Sequence, residues 1–151
     1  MKEPLITITK ATPGTLEGIL TLLNVVELPH EGVVEHFAGF LVAVEGAGHL
    51  VGCIGLERHT KLGLLRSLAV HPDYQRQRIG TRLTFALLTL AEEKGLTEVV
   101  LLTTTARDFF AQTFGFREAK RTRYDKALTN SPEWNLPRCA SAVCMKLSLK
   151  K

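Results

Sequence analysis

Apolar and polar residues alternate from Leu5 to Thr9, a period that predicts a first strand. Thr12-Pro13-Gly14 suits a helix start, and Leu16, Ile19, Leu20 and Leu23 then recur along one helical stripe. Asn24 to Gly32 breaks that pattern, and a short helix is expected through Val33, Val34 and Phe37. Phe40–Val44 and His49–Glu57 read as strands joined by the turn residues Glu45-Gly46-Ala47-Gly48. Thr60 to Gly63 reads as another turn, leading into a strand from Leu64 to Val70. Three strands joined by such short loops form an antiparallel meander.

The period then changes. His71-Pro72-Asp73 ends the strand, and Ile79, Leu83, Ala86, Leu87, Leu90 and Ala91 recur at helical spacing until Gly95. Glu98–Thr105 is a second buried strand, expected parallel to its predecessor because a whole helix separates them. A short aromatic helix covers Asp108–Phe114 and closes at Gly115. Arg117 to Arg138 is polar and basic, and Ala140–Leu149 returns as a final apolar strand. No internal repeat, low-complexity tract or linker interrupts the 151 residues, so residues 1–151 are expected to form one domain.

Composition narrows the class. Hydrophobic residues at 45% and charged residues at 23% are globular proportions, which exclude disorder, collagen-like repeats and coiled coils. The net charge of +4 suits an anionic ligand and is too weak to argue for nucleic acid. The basic segment Arg117–Arg138 also lacks the aromatic interleaving of a base-stacking platform, so no nucleic-acid partner is expected. No apolar run approaches the roughly 20 residues of a membrane span. Met1-Lys2-Glu3-Pro4-Leu5 has no signal-peptide core, and Cys53, Cys139 and Cys144 have no metal-ligand spacing. A cytoplasmic protein with free thiols, no metal and no membrane partner is expected.

Chemistry concentrates between Leu64 and Leu90, where Arg66, Arg76, Arg78 and Arg82 accompany one acid, Asp73. Gln75-Arg76-Gln77-Arg78-Ile79-Gly80-Thr81 lies between a buried strand and a long helix. A helix N-terminus offers unpaired N–H groups and partial positive charge, Gly80 permits close approach, and arginines can grip phosphate bidentately. A solvated basic face remains the alternative reading of the same residues.

The order strand, Val70-His71-Pro72-Asp73-Tyr74-Gln75-Arg76-Gln77-Arg78-Ile79-Gly80-Thr81, helix, strand and a short helix ending Gly115-Phe116 resembles the GNAT superfamily of acetyl-CoA-dependent N-acetyltransferases. The resemblance spans about residues 5 to 149 in element order and is strongest from 52 to 120. Gln75, Ile79 and Gly80 match the Gln/Arg-x-x-Gly-x-Gly/Ala signature, with Arg78 where its first glycine is usual. Gly55-Leu56-Glu57, Leu64–Val70, Leu101–Ala106 and Ala140–Met145 are similar to the arsenic-resistance-operon N-acetyltransferases within that superfamily. The resemblance implies an α/β (α+β) fold: a mixed, mostly antiparallel central sheet with a splayed parallel strand pair and helices on both faces. It implies acetyl-CoA as acetyl donor, its pyrophosphate over Gln75, Arg76, Gln77, Arg78, Ile79, Gly80 and Thr81. Pantetheine would pair with backbone of Leu68, Ala69 and Val70. The acceptor would be a small-molecule amine, an amino acid or analogue, acetylated directly in a ternary complex.

An alkyl amine, with a pKa of about 10, must lose a proton before it attacks a thioester. Glu57 is the candidate base, directly or through water, with a surface carboxylate at a hairpin end as the alternative. Arg66, a charge inside an apolar strand, either pairs with Glu57 or holds an acceptor carboxylate. Thr103 and Thr104 could line the acceptor pocket or be ordinary strand residues. The tyrosine that protonates the thiolate in many family members has no counterpart at Phe110 or Ala111; Tyr124 could substitute as acid or be an exposed loop tyrosine. Without that acid, a coenzyme A-binding regulatory module lacking turnover is the second reading. The final strand leaves a homodimer open.

Overall fold

The computed structural model describes residues 5–139 and 141–149; the expectations for Met1–Pro4 and Ala140 lie outside them. The described strands are β1 Ile6–Lys10, β2 Phe40–Glu45, β3 Leu50–His59, β4 Leu62–Val70, β5 Glu98–Thr103, β6 Arg117–Glu118 and β7 Val143–Ser148. They form one sheet in the order β1-β2-β3-β4-β5-β7-β6. Only β4 and β5 pair in parallel; β2 through β4 form the expected meander, β1 pairs antiparallel with β2, and β7 returns antiparallel beside β5. The α-helices are α1 Leu16–Val25, α2 Ile79–Glu93 and α3 Arg107–Phe114.

Strand alternation divides the core between two faces. Ile54, Leu56, Leu65, Val99 and Leu101 point to the α2 side, where Ile79, Leu83, Leu87 and Ala91 lie fully buried at every fourth position. On the other face, Val42, Cys53 and Ala69 pack against Ile19 and Leu23 of α1. Farther along that face, Leu62, Leu64, Val100 and Cys144 lie under Tyr124, Leu128 and Trp134. The basic segment Arg117–Arg138 is thus a folded cover rather than a solvated loop. Arg121 sits over the Trp134 ring at 4.8 Å and donates to the carbonyls of Cys139 and Trp134.

Several boundaries differ from the sequence reading, β3 running on to His59 and β7 starting at Val143 among them. The expected turn Thr60–Gly63 shrinks to Thr60-Lys61, because Leu62 and Gly63 pair with His59 and Arg58. Gly63 serves packing there: a Cβ would lie 2.8 Å from Leu56 and 2.9 Å from Leu96 side chains. The strand expected to Thr105 ends at Thr103, whose hydroxyl accepts from the Ala106 N–H at 2.9 Å and turns the chain into α3. The helix expected near Val33 is a run of turns closing in a single 3-10 turn, Phe37–Gly39.

Candidate active site

The parallel pairing of β4 with β5 stops at Leu65 opposite Leu101. One residue later, β4 shifts register against β3, with Arg66 and Ala69 opposite Gly55 and Cys53. Ser67 takes φ +61°, the irregular residue of this bulge. Bulges bend the strand and add twist, so β4 turns away from β5 and the two enclose a V. That is the splayed pair the sequence resemblance implied.

One cavity, of about 560 Å3, opens at the outer end of β4. It is lined by Leu68, Val70, Gln75, Arg76, Arg78, Ile79, Gly80 and Thr81, together with Tyr74, Ala106 and Phe109. Ala69 faces the opposite side, buried among α1 contacts, and Gln77 is not among the lining residues. Arg76 and Arg78 hold φ +70° and +63°, so both occupy the left-handed region that glycine enters freely. The loop therefore keeps, with arginine, a conformation natural to the glycine that the signature has at position 78. No side chain caps the α2 N-terminus, and its first turn holds no acid, so its amides remain for an anion. Arg82 is different: its Nη2 donates to the Ile6 carbonyl at 2.9 Å, which ties it to β1 rather than to the loop's mouth.

A second cavity, of about 330 Å3, lies deeper in the V. Leu68 and Ala106 border both spaces, so the two meet there. Thr103, Thr104 and Thr105 form one wall of the deeper cavity; Glu27, Arg66, Glu133 and Cys139 contribute others. Glu57, by contrast, is fully buried and not among the lining residues. Arg66 stands with it: Nη1 donates to Glu57 Oε2 at 2.8 Å, and Nε donates to Ser67 Oγ at 2.9 Å and lies 3.3 Å from Glu133 Oε1. Gly32 packs against this guanidinium, where a Cβ would come within 2.8 Å of Nη1. Burial alone would raise the Glu57 pKa. Hydrogen bonds from His59, Arg66 and Ser131, with the nearby His36, outweigh it and hold the carboxyl below its ordinary 4.5.

These placements bear on the expected roles. A carboxylate so stabilised and covered by Arg66 has no direct path to an amine in the cavity. Two carboxylates do border the space, Glu27 and Glu133, and Glu133 lies in a segment whose sequence offered only polarity. Tyr124 is not brought to the cleft: buried on the far cover, its hydroxyl donates to Glu98 Oε2 at 2.6 Å. Burial and this bond push the phenol well above its usual range. Tyr74, Ala106 and Phe109 were also missed; nothing in their spacing distinguishes them from core residues.

The sequence and the fold are matched by known proteins. The acetyltransferase (GNAT) family profile matches residues 19–116. An uncharacterized N-acetyltransferase of Chlorobaculum tepidum is 30% identical over 122 residues, covering 78% of this chain and 74% of that protein. The solved structure of Rv2747 from Mycobacterium tuberculosis, in complex with CoA and NLQ, superposes with a TM-score of 0.80. It is 24% identical and covers 95% of this chain and 99% of its own. N-acetylglutamate synthase from Neisseria gonorrhoeae, complexed with coenzyme A and N-acetyl-glutamate, gives 0.77 at 23% identity over 99% of this chain. The chain spans only 36% of that synthase's length. With its profile covering most of the sequence and its bulged, splayed strand pair, this chain belongs to the acetyltransferase (GNAT) family of N-acetyltransferases.

Proposed function

We propose that the protein transfers the acetyl group of acetyl-CoA to the amine of a small molecule, an amino acid or analogue, within a ternary complex. The observation that carries this reading is the meeting of two cavities at Leu68 and Ala106, one at a phosphate-suited helix start and one lined by carboxylates and threonines. Loop amides from Gln75 to Thr81 and the Arg76 and Arg78 side chains hold the pyrophosphate. The backbone of Leu68, Ala69 and Val70 guides pantetheine inward, placing the thioester where the cavities join.

The acceptor nitrogen then bonds to the thioester carbonyl carbon, and the carbon–sulfur bond breaks. Glu133 takes the proton that the ammonium loses before attack. The proton released from nitrogen on acylation passes to the departing thiolate, whose pKa of about 8.5 makes it a tolerable leaving group without an enzyme acid. Glu57 is a positioning residue that fixes the buried Arg66 side chain behind the wall of the acceptor cavity. Thr103 and Thr104 supply hydroxyls beside the amine.

Known proteins support the acceptor class: N-acetyl-glutamate is bound in the Neisseria synthase. The motifs shared with arsenic-resistance-operon acetyltransferases extend the search to arsenic-containing and phosphinic amino-acid analogues. The test compares an amino acid with its decarboxylated amine in wild type and Arg66→Lys. Because Arg66 is already bonded to Glu57 and Ser67, KM should rise for both amines alike, with KM for acetyl-CoA unchanged. A rise confined to the carboxylate-bearing amine would instead make Arg66 its direct partner.

A further inference from the structure

On the sheet face between the α1 core and the Trp134 cover, Glu57 also meets two histidines that acetyl transfer does not use. His59, the last residue of β3, places Nε2 2.9 Å from Glu57 Oε1. His36, entering from the turns before β2, places its Nε2 3.6 Å from the same oxygen. The two imidazole rings are 5.6 Å apart between centroids. All three donor atoms lie within 4.8 Å of one another.

A single hydrogen bond to Glu57 Oε1 would need only one imidazole. Two converge here from separate chain segments. Two histidines and one carboxylate are a recognised donor set for zinc, with bonds of about 2.0–2.2 Å. Tetrahedral bonds of that length put ligand atoms about 3.3 Å apart, a spacing that the observed 2.9 and 3.6 Å bracket. The other Glu57 oxygen is already oriented by Arg66, and Ser131 also bonds this carboxylate, the outer-layer support typical of metal ligands. The side chains of His36 and His59 are 23% and 11% exposed, so an ion and a water can reach the cluster from solvent.

We propose that His36, Glu57 and His59 bind one divalent cation of the zinc type, with a fourth position left to water. This site is separate from both cavities and touches the acceptor cavity only through Arg66.

The experiment titrates chelator-treated full-length protein with Zn2+ against a chromophoric chelator, and with Co2+ followed by visible absorption. One ion per chain should bind, and Co2+ should show the intense bands of four- or five-coordination. His36→Ala, at the more exposed ligand, should weaken affinity at least tenfold in a protein with wild-type circular dichroism. His49→Ala, which changes an exposed histidine beside Glu45, should leave affinity unchanged. Absence of saturable binding, or saturable binding indifferent to His36→Ala, overturns the site.

Discussion

Arg66 Nη1 donates to Glu57 Oε2 across 2.8 Å, and both side chains are shielded completely from water. A buried charge left without its partner is costly, and removing one member of such a pair typically destabilises by about 3–5 kcal/mol. Glu57→Gln should therefore lower the denaturation midpoint clearly, with about 3 kcal/mol lost in chemical unfolding. If Glu57 positions Arg66 rather than abstracting the amine proton, the acetylation rate should keep the acidic limb of its pH profile. Loss of that limb, with kcat down by roughly 10²–10⁴, would return the base to Glu57.

The complementary change is Glu133→Gln. If this carboxylate takes the amine proton, kcat should fall by roughly 10²–10⁴ and the acidic limb should disappear. Affinity for acetyl-CoA, measured by calorimetry, should stay within about twofold. An unaltered profile would leave deprotonation to water and desolvation.

The loop proposed to hold the pyrophosphate allows backbone and side-chain contributions to be separated. Arg76→Glu with Arg78→Glu reverses two charges at the cavity and should weaken acetyl-CoA at least tenfold, about 1.4 kcal/mol. Arg78→Gly removes one guanidinium yet relieves a left-handed arginine at φ +63°, a strain of about 1–2 kcal/mol. Its thermal midpoint should hold or rise, and its coenzyme affinity should change less than threefold. A tenfold loss in Arg78→Gly would make that side chain, not the amides, the principal phosphate grip.

Alkaline pH should unfold the protein for an identifiable reason. Burial pushes the Cys53 thiol up to about 12, and burial likewise lifts Cys144 to about 11. Both pKa values exceed the unfolded value near 9.0, so the unfolded chain releases its protons first. Their contribution is whole below about pH 9 and is lost as pH climbs toward the folded values. Unfolding free energy should fall steadily from pH 9 to 11, and a maleimide at pH 7.5 should leave native Cys53 unmodified. Rapid labelling of Cys53 in the folded state would contradict its burial.

How legible this molecule was depends on the range of the signal. Alternation along Phe40–Val70 and the fourfold spacing of Ile79, Leu83, Leu87 and Ala91 are local, and they locate the strands and the main helix well. The splayed strand pair follows from resemblance alone at the level of sequence, and no residue type marks Ser67 as the bulge residue of β4. Glu133 reaches the cavity because Trp134 anchors its loop, with Nε1 donating to Asp125 Oδ1 at 2.9 Å. That is a contact nine residues away within a stretch lacking periodicity. The burial of Arg66 follows from Pro29, Gly32 and Glu133, which come from distant segments. Tyr124 misled for the converse reason: an isolated tyrosine in a basic run gives no hint that the run folds over the sheet.

The central claim is that the joined cavities carry donor and acceptor to one reaction. Its most direct measurement is release of free thiol from acetyl-CoA, followed alongside N-acetylated product by mass spectrometry across a panel of amino acids and simple amines. The account requires thiol and product to appear in equal amounts, only when a suitable amine is present, and without an acetylated enzyme intermediate. Acetyl-CoA that binds yet releases no thiol with any amine would contradict it and leave a binding module without turnover.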